Sequence, residues 1–299
     1  MINSNNELFG MGGKKLDDNI KFSVRSEVYM DLSWLDSWRK EVKSMNRCKV
    51  GQPYFYPETL IRFLGLLYAK GFAYRELEGV LRGLSKKLGG FPVISFSQIR
   101  RRIQRLDLSF SKNLAKQDFV GIDGSGFKVS NRGEWIRQKW SVKRGWVKVV
   151  VMGNRNGEVI DVIVGDECLD ERKAALKLIT KNKDLCETIL LDGLHDTKKA
   201  YEVCSSLGKE LVVPARKNAN SKGLSQRSIS VREQKKLGRQ QWVEQKKYGL
   251  RWPCTEGIFS AVKRIFGEEL KSIKHSCSYQ ETKLKFWAYQ QLRNAETMI

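Results

Sequence analysis

Three acidic residues stand where a chain of this pattern could do chemistry. Asp123 follows the apolar approach Phe119-Val120-Gly121-Ile122, a setting in which a carboxylate is costly unless it is paired or bound to a cation. Asp192 ends the short apolar run Thr188-Ile189-Leu190-Leu191, and Glu256 lies just after Pro253 at the expected first turn of a helix. Carboxylates gathered at one sheet edge offer the anionic oxygens that Mg²⁺ or Mn²⁺ demands. Two such ions can activate the attacking oxygen and stabilise the leaving one in phosphodiester hydrolysis or strand transfer. Singly, each residue is weak: the chain holds 33 Asp and Glu, and a strand-end Asp often only caps the next helix. Asp118, Asp161, Asp166, Asp170 and Asp196 compete for the role. Asp196 reads as the N-cap of a helix at about 196–207, and Asp161 as an outward strand residue or the partner of a basic neighbour. His195 is set aside, because ion-activated water needs no histidine and a lone loop histidine reads as polar surface.

Other chemistries fit the composition less well. Six cysteines are scattered singly, with no C-x-x-C pair and only two histidines, which argues against a structural zinc site. In a reducing compartment they read as small buried hydrophobes. Lys and Arg exceed Asp and Glu to give a net charge of +22, a surplus that favours a polyanionic partner, nucleic acid before an anionic membrane surface. No apolar run approaches the roughly 20 residues that span a bilayer, and the opening MINSNNELFGMGGKK lacks a signal-peptide core, so an intracellular protein without membrane contact is expected.

The elements that must position the acids follow from hydrophobic period. Residues 1–24 show none and read as a flexible arm. From Ser33, Leu35, Trp38, Val42 and Met45 mark one helix, and Leu60, Ile61, Phe63, Leu64, Leu67 and Tyr68 a second, closed by Gly71. Tyr74, Leu77, Val80, Leu81 and Leu84 mark a third. Ile99, Ile103 and Leu106 line a fourth from about Ser97, with Arg100, Arg101, Arg102 and Arg105 turned elsewhere. Residues 25–112 therefore read as an all-α, helix-turn-helix-like DNA-binding domain, or equally as a small bundle whose last helix has a solvated basic face; net charge favours the first.

Near residue 118 the period changes to extended. FVGIDGSGFKV (119–129), WVKVVVM (146–152) and EVIDVIV (158–164) read as an antiparallel meander, the last two joined by the hairpin turn Asn154-Arg155-Asn156-Gly157. A helix (about 170–181), the strand entering Asp192, a helix (about 196–207) and the strand Leu211-Val212-Val213 follow. Residues 215–247, opening with Ala215-Arg216-Lys217, are basic, lack an apolar period and read as a long loop. Ile258, Phe259, Val262, Ile265 and Phe266 mark a final helix, whereas FWAYQQLRN near the C-terminus has only some helical character. The order β-β-β-α-β-α-β-α predicts, over 113–299, a ribonuclease-H-like mixed sheet with crossover helices. Trp135, Trp140, Trp146 and Trp242 are candidates for stacking on an unpaired base, with core packing the better reading for Trp146.

These motifs resemble the DDE transposases of insertion sequences, most closely the group written IS-five, from about Ser33 to Lys285. YPETLIRFLGLLYAKGFAYRELEGVL with SFSQIRRRIQRL is similar to the family's DNA-binding region, GIDGSGF to its first-Asp segment, and LLDGLHDTKKAYEVCSSLGKELVVPARKNA to its second. The resemblance selects Asp192, which opens D-G-x-x-D, over Asp196. The family's third segment runs Tyr, two residues, Arg, three, Glu, six, Lys; here Tyr248, two, Arg251, four, Glu256, six, Lys263 stand in YGLRWPCTEGIFSAVKRIFGE. The extra residue and Pro253 are expected to leave Arg251 ahead of the helix and off the face of Glu256. What the resemblance implies is a two-metal DDE transposase with catalytic Asp123, Asp192 and Glu256 binding Mg²⁺ (or Mn²⁺). Its DNA contacts would come from Lys263, Arg251, Tyr248, Arg100, Arg101, Arg102, Arg105, Arg216 and Lys217. Its partners would be the terminal inverted repeats and target DNA, bound by a homodimer or higher oligomer, in the cytoplasm with the prokaryotic nucleoid. A DNA-binding protein derived from a transposase, or a structure-specific nuclease of the same fold, are the rival readings.

Overall fold

A computed structural model describes residues 32–88, 90–110, 115–129, 145–272 and 274–296. The arm at 1–24, Trp135 and Trp140 lie outside the described residues. Apolar stripes at helical spacing fold the N-terminal region into α1 (Trp34–Met45), α2 (Glu58–Ala69), α3 (Tyr74–Lys87) and α4 (Phe96–Ile103). Their shared interior contains Trp34, Leu60, Leu64, Leu77, Leu81, Ile99 and Ile103, all essentially inaccessible.

β-Branched residues then build β1 (Gln117–Val129), β2 (Trp146–Asn154) and β3 (Val159–Gly165), paired antiparallel in sequence order as the expected meander. The β2–β3 turn closes on Asn154, whose Oδ1 accepts the backbone N–H groups of Asn156 and Glu158, with Gly157 at φ 77° as the reversal requires. The helix α5 (Glu171–Lys181), capped by Asp170, crosses to β4 (Cys186–Leu190), and α6 (Lys198–Ser206) crosses to β5 (Glu210–Val212). Both strands run parallel to β1, giving the order β3-β2-β1-β4-β5. The two-residue β6 (Glu269–Leu270) pairs with the far end of β1. This mixed sheet with crossover helices, preceded by a helical region, is ribonuclease-H-like.

The pleat divides β1 between two interiors. Val120 and Ile122 face α5 and α6, together with Val150, Met152 and Ile189. Phe127 and Val129 face the other way, with Val147, Val149 and Val151, into a cluster shared with α10 (Glu256–Phe266), α11 (His275–Glu296) and the N-terminal helices. The sheet is thus covered on both faces.

Two expectations are corrected, and the helical character of the C-terminal segment proves more extensive than its sequence suggests. Residues 215–247 are not one long loop but carry α7 (Gln226–Leu237) and α8 (Arg239–Gln245), capped by Ser225 and anchored by buried Val231 and Trp242. The C-terminal segment is a 22-residue helix with Leu284, Phe286, Trp287, Ala288, Tyr289 and Leu292 buried. Pro253 does not open the long helix. It lies inside the four-residue α9 (Arg251–Cys254), and Thr255, at φ −134° and ψ −73°, breaks the chain before α10 begins at Glu256.

Candidate active site

The sheet delivers the two aspartates side by side. Gly121 pairs with Leu190 in the parallel β1–β4 ladder, so the same register two residues on sets Asp123 beside Asp192 at the carboxyl end of β4. Asp123 shares its face of the sheet with α9 and α10. These can lie directly on the strands because Gly121 and Gly153 carry no side chain. A Cβ at Gly121 would stand 2.5 Å from Cys254 Cβ, and one at Gly153 would overlap the Cys254 carbonyl and the Ile258 side chain. That close approach brings Arg251 onto the acids. Its Nη1 donates to Asp123 Oδ2 at 3.0 Å and its Nη2 to Glu256 Oε1.

The extra residue between Arg251 and Glu256 is absorbed by the break at Thr255, whose Oγ1 donates to the Arg251 carbonyl at 2.9 Å. The expectation that Arg251 lies off the face of Glu256 is therefore overturned: one guanidinium bridges both carboxylates. Burial pushes the Asp123 carboxyl above its usual value, against the Gly124 N–H at 2.8 Å and the Arg251 charge, and the neighbouring Asp192 pushes it further in the same direction. Glu256 is more open, with 44 % of its side chain exposed at the start of α10.

Asp192 begins a short 3₁₀ turn over Gly193–His195, where its Oδ1 accepts the Leu194 N–H at 3.0 Å. His195 is not polar surface: it is 4 % exposed, and its Nε2 stands 3.7 Å from Asp192 Oδ1. Burial pulls its pKa below the ordinary histidine value against the pull of Asp192, Asp123 and Glu171, so the ring is neutral at neutral pH. Asp196 is not the N-cap of α6, a place taken by Thr197; its wholly buried side chain pairs with Arg227. Asp161 faces Lys181 at 2.6 Å, a basic neighbour as expected.

The remaining candidate residues divide between the site and its surroundings. Tyr248 donates its hydroxyl to the Leu191 carbonyl at 3.0 Å, next to Asp192, and stacks obliquely with Trp242, which is buried. Arg216 donates to the carbonyls of Gly193 and Leu194 at 3.1 and 2.7 Å, while Lys217 is exposed. Lys263 lies over the Phe127 ring at 5.8 Å and 3.7 Å from Glu268, toward the far end of α10. Arg100, Arg101 and Arg105 are exposed on and just after α4, and Arg102 packs over Tyr54 and Tyr56 at 5.6 and 5.5 Å. Two residues that sequence reasoning did not single out lie nearby: Trp252, 59 % exposed beside Arg251, and Glu171, which packs at Gly124 on the α5 side of β1 and pairs with Lys148 at 3.0 Å. A lone exposed tryptophan next to a motif arginine was the one available signal for the former.

As donors, three carboxylates suit a hard divalent cation, and a buried aspartate held above its usual pKa is a group that a bound cation would relieve. Among the described residues no three Asp, Glu, His or Cys groups converge as a ready-made cage, and Arg251 stands between Asp123 and Glu256.

In this ribonuclease-H-like sheet Asp123 lies within β1, Asp192 two residues beyond the end of β4, and Glu256 at the start of α10. The comparison with family models is specific. Residues 115–289 match a model described as "Transposase DDE domain", and residues 24–132 match a second model of that description. The first match spans more than half of the chain, and the chain belongs to the DDE transposase family. A comparison with curated proteins gives no match. Membership makes the protein a transposase and DNA its partner; the family in general uses divalent metal ions. Among the described residues, no helix is long and apolar enough to cross a membrane.

Proposed function

We propose that the chain is an insertion-sequence transposase of the IS-five-like group that cleaves DNA at terminal inverted repeats and joins the freed 3′-hydroxyl to target DNA, with Asp123, Asp192 and Glu256 as its catalytic carboxylates. The observation that carries this reading is the Arg251 guanidinium, which bridges carboxylates from β1 and α10, with Asp192 near enough to Asp123 to push its carboxyl up. When bound by these three residues, Mg²⁺ or Mn²⁺ ions supply the Lewis acidity that activates the attacking oxygen and eases departure of the leaving one.

The chain's own groups do the rest. Arg251 holds two of the acids in place and offers a planar donor fork to a phosphate that enters between them. Tyr248 fixes the Leu191 carbonyl and with it the approach to Asp192. Exposed Trp252 presents an aromatic face to a base at the cleavage point. Lys263 and Lys217 lie along the path of the DNA backbone, and the α4 arginines in the helical domain at 25–112 grip the repeat. Pairing two transposon ends calls for a homodimer or higher oligomer on DNA.

Incubation of the full chain with a duplex carrying the inverted repeats that flank its gene, in Mg²⁺ or in EDTA, tests the reading. Nicked ends and joined products in Mg²⁺ alone are expected. Asp123→Asn, Asp192→Asn and Glu256→Gln are each expected to bind the duplex and leave it intact. Efficient cutting by one of these variants would remove that residue from the site, and cutting without joined products would make the protein a nuclease.

A further inference from the structure

The backbone on both sides of Asp192 is held by side chains from the segment between β5 and α9. Asp196, whose side chain is wholly buried, accepts Arg227 Nε at 2.6 Å and Nη2 at 2.8 Å. The same carboxylate accepts the backbone N–H of Arg216 at 3.1 Å. Arg216 in turn sends its guanidinium back to the carbonyls of Gly193 and Leu194. Those two residues directly follow Asp192, and the N–H of Leu194 is the donor to Asp192 Oδ1. Any shift of the 193–194 peptides is therefore passed to the carboxylate through one hydrogen bond.

We infer that Asp196 and Arg227, acting through Arg216, are positioning residues for Asp192: a buried ion pair that sets the turn from which Asp192 reaches the reacting phosphate. The inference rests on the reading of Asp192 as a catalytic carboxylate. It gives the second Asp of D-G-x-x-D and the basic segment at 215–247 a task apart from gripping DNA. The pairing is built for rigidity. A bidentate guanidinium–carboxylate fork fixes distance and angle together, and the burial that would raise the Asp196 carboxyl is outweighed by Arg227 and the Arg216 N–H, which keep it ionised. No group of the pair touches the reacting atoms, and its contacts end within four residues of Asp192.

The test compares Arg216→Ala, Arg227→Ala and the double variant Asp196→Leu/Arg227→Met in the full chain, with Asp192→Asn as control. Single-turnover cleavage at saturating inverted-repeat duplex, affinity for that duplex, affinity for Mn²⁺ by electron paramagnetic resonance and melting temperature are measured for each. The double variant matters because replacing a buried ion pair by apolar side chains commonly leaves stability intact. Misplacement by about 1 Å is expected to slow cleavage by roughly 100-fold in the double variant and in Arg227→Ala, with duplex affinity within about threefold of the parent. Mn²⁺ affinity is expected to fall about tenfold in both. Arg216→Ala is expected to show the same pattern in weaker form. A folded double variant that cleaves at the parental rate and keeps its Mn²⁺ affinity overturns the inference, as does a loss of rate that only follows a loss of melting temperature or duplex affinity. If Asp192→Asn itself cleaves normally, the reading of the site has failed instead, whatever Arg227 does.

Discussion

Arg251 Nη1 donates to Asp123 Oδ2 across 3.0 Å, yet the carboxyl it serves is held above its ordinary pKa because burial outweighs the pairing. The unfolded carboxyl titrates near 3.8 and the folded one higher, so folding loses stability as the pH rises from 3.8 through the folded value. Asp123→Asn removes that penalty. The variant is expected to cut no DNA but to melt above the parent at neutral pH, with the gap closing as the pH falls toward 3.8. Melting curves across that range decide it; a variant that melts lower at neutral pH contradicts the assignment of burial as the dominant cause.

The contact of α9 with bare backbone makes a second prediction. An added methyl at Gly153 would overlap the Cys254 carbonyl and the Ile258 side chain, so α9 has to lift off β2 and carry Arg251 with it. Gly153→Ala is expected to cost about 1–3 kcal/mol in chemical denaturation and to slow cleavage at least tenfold while duplex binding persists.

In the proposed reading the exposed arginines of the helical region act in binding alone. Arg100→Ala, Arg101→Ala and Arg105→Ala are each expected to weaken duplex affinity and to reduce the steepness of its salt dependence by about one unit of log K against log salt. Cleavage at saturating duplex should be unchanged. A variant with parental affinity and salt slope would show that its arginine does not meet a phosphate.

Lys285 gives a stability signature of its own. Only 3 % exposed, it donates to the carbonyls of Gly267 and Glu269 at 2.9 and 2.7 Å, and burial lowers its pKa from 10.5 to about 8. For a base depressed on folding, the unfolded chain binds the extra proton between the two values, so stability rises with pH across that window. The full contribution is about 3 kcal/mol. Between pH 7.5 and pH 10 the parent should gain about 2 kcal/mol more stability than Lys285→Met in chemical denaturation, and parallel profiles would refute the shift.

The sequence was most readable where one physical signal dominated. Alternation of Val and Ile with a turn at Asn154–Gly157 specified the β1–β3 meander, and short apolar runs ending in Asp192 and Pro214 specified β4 and β5. The helix α7 escaped because it has no apolar stripe. It buries only Ser228 and Val231 and is held by polar links, Arg227 to Asp196 and Arg232 to the carbonyls of Ser221 and Gly223. The helix α11 escaped for the opposite reason: buried side chains surround so much of it that no single face stands out. In the site, the apolar approaches drew attention to Asp123 and Asp192 and the family resemblance chose Asp192 over Asp196, whereas the reach of Arg251 depended on a backbone break at Thr255 that residue spacing does not encode.

The last helix of the described chain also completes the first part of it. Leu284 packs at Gly65, Trp287 lies under Arg62, and Glu281 accepts the hydroxyl of Tyr68, so the apolar side of α2 is closed by residues made more than two hundred positions later. During synthesis that surface stays open until α11 has left the ribosome. Contacts of such long sequence separation are slow to form and leave sticky intermediates behind. The helical region is thus made long before the residues that finish it, which makes the nascent chain, more than the folded enzyme, the state in which this protein is prone to aggregate.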